Sequence, residues 1–189
     1  VLVGLESPTE AAPAPDPRPG TPVLLGEMGA GQDYGSALLG DSLVFTGVSN
    51  GDYEPWITDG TPPGTHRILD IGVGLSSGPG SYATYQGRVY FTAFTPELGT
   101  ELWVTDGTAG GTRLVKDISE GANSSDPQYL TVAGGRLFFK ADTAESGREL
   151  WVSDGTAAGT LLHTDLRPGP SSSGAFALTE LGGRLLFTA

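Results

Sequence analysis

At 189 residues the chain is long enough to bury a substantial core, as one domain or as a run of repeats. Ten Lys and Arg stand against 22 Asp and Glu, a formal charge of −12, which leaves no basic stripe for a nucleic acid or an anionic lipid surface. The absence of cysteine excludes disulfides, thiolate metal sites and thiol catalysis.

In chain order, the opening VLVGL is too short to cross a bilayer, and no later apolar run is long enough, so no membrane span is expected. Five prolines follow within ESPTEAAPAPDPRPG, and residues 1–20 read as a Pro/Ala-rich linker or a processed N-terminal tail. From residue 21 to 189 the composition changes to apolar runs separated by Gly, Pro, Asp and Ser, a series of strands and turns. PGTPVLLGE aligns with the later PGTHRILDI, which makes residues 21–27 a closing strand.

A repeat organises the remainder. Trp56, Trp103 and Trp151 lie 47 and 48 residues apart, and each opens the string W, Ile or Val, Thr or Ser, DGT, two variable residues, GT. Eleven residues after each DGT aspartate stands Asp70, Asp117 or Asp165, each followed by an aliphatic residue. A Gly-led strand recurs as GRVYFTA, GRLFFKA and GRLLFTA, with DSLVFTG as a divergent first version. Repeat units therefore fall at about residues 33–71, 79–118 and 127–166, with a partial unit at 175–189.

In the third unit four strands are expected, at residues 128–133, 136–141, 149–153 and 160–166, and no window has helical periodicity. The predicted fold is all-β: four-stranded antiparallel blades with a period of 47–48 residues, forming a β-propeller or part of one. Runs such as LFF and LWV suit sheets covered on both faces, and Trp56, Trp103 and Trp151 are the expected blade-core residues. The register of units predicts a closing strand, three whole blades and two opening strands. Either a longer propeller continues it or copies self-associate.

ELWVTDGTAGGT and ELWVSDGTAAGT resemble the bacterial ELWxxDGT repeat family, over about residues 21–189. The resemblance implies propeller-like repeats in a secreted or cell-surface protein, and no particular ligand or reaction. The first copy departs from the pattern at Pro55, which marks its strand as an edge or bulge position.

The DGT residues read as structural turns: Asp59, Gly60 and Thr61; Asp106, Gly107 and Thr108; Asp154, Gly155 and Thr156. Asp can accept backbone N–H bonds from two residues on, and Gly takes positive φ without steric cost. Calcium at Asp59, Asp106 and Asp154 is the alternative weighed, but Ca²⁺ takes about six to eight oxygens and each loop supplies one carboxylate. His66 and His163 lack a metal-binding spacing, and Ser171, Ser172 and Ser173 have no adjacent base. Tyr34, Tyr82, Tyr85, Glu97 and residues 49–55 break the repeat and read as loop or packing positions.

The near-uniform repetition points to a noncatalytic module, a scaffold or a binder of protein or glycan, which the resemblance places outside the cell; no cofactor is expected, and loops 95–100 and 142–148 are the expected contact surfaces. The alternatives are a propeller hydrolase acting on polysaccharide and a calcium-dependent adhesion module.

Overall fold

The computed structural model describes residues 35–189. The expectations for residues 1–20, the closing strand at 21–27, the start of the first unit and Tyr34 lie outside the described residues. The described chain is all-β, without a helix.

Unit one contains β1 (Ser36–Leu39), β2 (Ser42–Ser49), β3 (Asp52–Thr58) and β4 (His66–Arg67). Unit two contains β5 (Gly80–Tyr85), β6 (Arg88–Thr95), β7 (Gly99–Thr105) and β8 (Arg113–Lys116). Unit three contains β9 (Gln128–Ala133), β10 (Arg136–Thr143), β11 (Gly147–Ser153) and β12 (Leu161–Thr164). A two-stranded sheet of β13 (Phe176–Leu181) and β14 (Arg184–Thr188) follows. Every sheet is an antiparallel meander in which each strand pairs with its sequence neighbours.

The strand residues alternate between two packed faces, which is why both faces read as apolar. Val44, with Ala37, Leu39 and Ile57 of unit one, packs against Val89, Phe91, Ala93 and Trp103 of unit two. Tyr90, Leu102, Val104 and Val115 on the other face of unit two pack against Leu137, Phe139, Ala141 and Trp151 of unit three. The cores thus lie between sheets. Trp151 is buried, whereas Trp103 and Trp56 are half-buried. Gly47 lies directly under the Trp56 ring, where a Cβ would overlap the indole.

Three expectations need correction. The last strand of unit three ends at Thr164 rather than 166 because the Leu166 N–H leaves the ladder for a side-chain carboxylate, Glu149 Oε2, at 3.1 Å. The third strand begins at Gly147, two residues before the expected 149, and pairs Thr143 with Gly147 at the turn. Pro55 stands in an interior strand, since β3 pairs with both β2 and β4. Its carbonyl accepts the Ile68 N–H at 2.8 Å, so the missing proline N–H falls on the β4 side. On that side the other units are irregular, with register shifts between Leu102 and Trp103 and between Leu150 and Trp151.

The first strands of units two and three and of the last sheet also carry bulges, and there Ser81, Tyr129 and Ala177 adopt left-handed φ of 51°, 58° and 56°.

Candidate functional site

The repeated glutamate two residues before each tryptophan is fully buried: Glu54, Glu101 and Glu149. In unit two, Glu101 accepts the backbone N–H groups of Ile118, Ser119 and Ser125, each at 3.1 Å, and the Ser125 hydroxyl at 2.6 Å. Glu54 accepts Ile71, Gly72 and Ser77 N–H groups and the Ser77 hydroxyl. Glu149 accepts the Leu166 and Ser173 N–H groups. A buried carboxylate is tolerated because these donors replace its hydration.

The carboxylate clasps the segment that leaves one unit for the next. The preceding serine adds a bond in every unit: Ser76, Ser124 and Ser172 Oγ accept the N–H of Tyr53, Thr100 and Arg148 at 2.9–3.0 Å. The Ser77 and Ser125 carbonyls then accept Phe94 N–H and Asp142 N–H from the second strand of the following unit, both at 2.8 Å. One Ser-Ser step therefore ties adjacent sheets together.

At the opposite end of the third strand lies the DGT turn. Asp106 Oδ1 accepts the Thr108 N–H at 3.0 Å and the Thr108 hydroxyl at 2.7 Å, and Thr108 Oγ1 accepts Gly111 N–H at 3.0 Å. The Thr105 and Thr112 hydroxyls meet at 2.7 Å across the hairpin. Equivalent bonds to the aspartate occur at Asp59 with Thr61 and at Asp154 with Thr156. These threonine bonds hold the Asp59, Asp106 and Asp154 carboxyls below the usual range. A lowered folded pKa means that their stabilisation is present above the ordinary value of 3.8 and is lost as pH falls through the lowered one.

A Cβ on Gly64, Gly111 or Gly159 would overlap the carboxylate of Asp59, Asp106 or Asp154 respectively. Gly111→Ala therefore expels Asp106 from its turn, and the double variant with Asp106→Ala is expected to cost less than the sum of the two singles. Urea melts of the four proteins test this. Additive costs would mean that the glycine and the aspartate act separately.

Asp52, Glu54 and Asp70 place carboxylate oxygens within 4.8 Å of one another. A cation is already there: Arg67 Nη1 lies 3.1 Å from Asp52 Oδ2 and 3.4 Å from Asp70 Oδ2. Glu54, the third member, is committed to the clasp. Addition of EDTA is expected to leave the melting temperature unchanged. An ion at 100 times its Kd adds about 2.7 kcal/mol, so a drop of several degrees would overturn this reading.

No family model, curated protein or solved structure matches this chain.

The remaining candidates are dispersed. His66 is exposed on β4, and His163 is exposed on β12 with its ring edge-on to Phe138 at 5.4 Å. Glu97 is exposed in the loop between β6 and β7. Tyr82 stacks on Phe91 at 5.6 Å with its hydroxyl 2.9 Å from Thr46 Oγ1, and burial pushes its pKa up. Tyr85 donates to the Gly135 carbonyl at 2.9 Å. Both tyrosines join units.

Ser172 and Ser173 belong to the clasp, and the structure sets beside them a carboxylate that the sequence reading did not place there, Glu149, which accepts the Ser173 N–H at 2.7 Å. Sequence reasoning passed over the three glutamates and their serine pairs. The signal was present as Glu54, Glu101 and Glu149 recurring with Ser-Ser steps whose second serine lies 23 or 24 residues on.

Proposed function

We propose that this chain is a noncatalytic repeat module of an exported bacterial protein, a β-propeller or a segment of one, which serves as a scaffold or binds protein or glycan through its rim loops. The observation that carries this reading is the internal use of the repeated carboxylates. Each motif glutamate is taken up by backbone donors, and each DGT aspartate is bonded to its own turn threonine. Groups spent on turns and clasps are scaffold chemistry.

The propeller form is supported by contacts of β1 with β5, β5 with β9 and β9 with β13, the arrangement of innermost strands around an axis. The ELWxxDGT resemblance supplies the bacterial and exported placement. Loops 95–100 and 142–148 share the rim opposite the DGT turns, because each joins the second strand of its unit to the third. In the latter, Arg148 Nε holds Asp142 Oδ2 at 3.1 Å, which presents an ordered polar surface.

Replacing residues 96–98 and 144–146 with Gly-Ser sequence in the whole chain tests the assignment on a glycan array and against secreted proteins of the source cell. Loss of capture at an unchanged melting temperature supports it. Undiminished capture by the loop variant, or no capture by either protein, removes it.

A further inference from the structure

The segment SNGDYEP, residues 49–55, breaks the repeat at the tip of the β2–β3 hairpin. Units two and three join their second and third strands through residues 96–98 and 144–146, whereas unit one uses only Asn50 and Gly51. Ser49 pairs with Asp52 across this turn, and φ is 54° at Asn50 and 81° at Gly51, the two positive values that a type I′ turn requires. Both residues are exposed.

Asparagine followed by glycine carries its own electrophile and nucleophile, here the Asn50 carboxamide carbon and the Gly51 backbone nitrogen. Gly51 has no Cβ to shield that nitrogen, and a Cβ there would meet nothing within 4 Å, so solvent reaches it. Among the described residues no acceptor takes the Gly51 N–H, which leaves its proton open to hydroxide. Related steps elsewhere are held. Asn123, the second of the chain's two asparagines, donates from Nδ2 to the Glu120 carbonyl at 3.2 Å, and the nitrogen of the following Ser124 packs against Gly99. Asp59, Asp106 and Asp154, each followed by glycine, are bonded by Thr61, Thr108 and Thr156 in the ionised form, which resists nucleophilic attack.

We propose that Asn50 is a site of spontaneous covalent modification, deamidation through a succinimide. The Gly51 nitrogen, its proton taken by hydroxide, bonds to Asn50 Cγ; the Cγ–Nδ2 bond breaks and ammonia leaves with a proton from water. Water then opens the ring at either carbonyl to give aspartate or isoaspartate. One water enters and one ammonia departs, with no oxidant or reductant. The product carboxylate lies in a recess that Asn50 and Gly51 share with Asp52, Asp70 and Ser76, where Arg67 is the counter-ion of both aspartates. Isoaspartate also lengthens the backbone of the turn. The Ser76 hydroxyl donates to the Gly51 carbonyl at 3.3 Å and accepts the Tyr53 N–H at 2.9 Å, so the change reaches the clasp. The turn shares the rim of loops 95–100 and 142–148, since all three join a second strand to a third. This inference rests on the hairpin and does not depend on what that rim binds.

Peptide mapping by mass spectrometry tests it on the whole chain, incubated folded and in urea at neutral and mildly alkaline pH. The folded chain is expected to release ammonia, and the peptide holding Asn50 to gain the mass of an amide-to-acid exchange and split into two isomers. The rate should rise with pH, as hydroxide removes the Gly51 proton, and the Asn123 peptide should lag far behind. Asn50→Gln, whose longer side chain closes a larger ring more slowly, is expected to lose the acidic form of this peptide. The substitution is at an exposed position, so the variant should fold, which circular dichroism checks. An Asn50 that stays intact in the folded chain while the unfolded chain converts overturns the proposal, because the hairpin then holds nitrogen and carbon apart. Intact Asn50 in both forms overturns it too, as does aspartate without isoaspartate, which would mean direct hydrolysis of the side chain.

Discussion

Replacing Glu101 with alanine is expected to lower the unfolding free energy by about 3–5 kcal/mol, the largest effect of any single substitution at the clasp. The change removes the acceptor for three backbone N–H groups and the Ser125 hydroxyl in a fully buried place. Orphaned buried donors cost roughly 1–3 kcal/mol each, and partial hydration on relaxation keeps the total below their sum. Glu101→Gln keeps the shape and one carbonyl acceptor, and should cost about half as much. Urea titration gives both numbers from the midpoint at constant m. A cost below about 1 kcal/mol for the alanine variant would show that the clasp contributes little to stability.

The pH dependence has a definite sign. Burial raises the Glu101 pKa above its ordinary 4.5, against the lowering effect of the Ser125 hydroxyl and the backbone donors. A raised folded pKa contributes stability that is complete below the unfolded value and is lost as pH rises through the folded one. The stability gap between wild type and Glu101→Gln is therefore widest below pH 4.5 and narrows as the pH rises. The DGT aspartates run the other way, losing their contribution on acidification.

Gly99→Ala is the second large effect, at about 2–4 kcal/mol. Gly99 opens β7 with φ of +65°, and a Cβ there would run into the carbonyl of Asn123 in the clasped segment. Part of the cost is the left-handed conformation, about 1–2 kcal/mol for a residue with a side chain. The remainder is overlap with backbone, which moves only if the clasp opens. Gly121→Ala separates the two, because Gly121 has φ of +77° but open space around it. It should show the conformational cost alone. Thermal or urea melts of both variants give the comparison, and equal costs would show that Gly99 is required for its dihedral angle only. Gly147 occupies the same place in unit three, where a Cβ would meet the Pro170 carbonyl. In unit one the place is held by Asp52, whose φ is not positive and whose carboxylate pairs with Arg67.

The amino-acid sequence by itself determined the all-β class, the number of strands per unit and the chemistry of the DGT turn. These follow from local rules. Strand and turn signals are written in consecutive residues, and the turn's bonds join residues within seven positions, from Thr105 to Thr112. A repeated string exposes them directly. The clasp was decided only by the tertiary structure. Glu101 and Ser125 are 24 residues apart and meet only after β7 and β8 have paired and the chain has turned back. A charged glutamate in a strand ordinarily reads as a solvent-facing residue, since burial of a carboxylate is costly without donors that sequence does not place. Pro55, which lacks an N–H, marked its strand as an edge or bulge position, and only the pairing of β3 with both β2 and β4 shows that strand to be interior. Which apolar residue of LFF or VYF faces the preceding unit and which the following one also depends on tertiary packing. Strand alternation defines two faces, but only the stacking of neighbouring sheets decides what covers each.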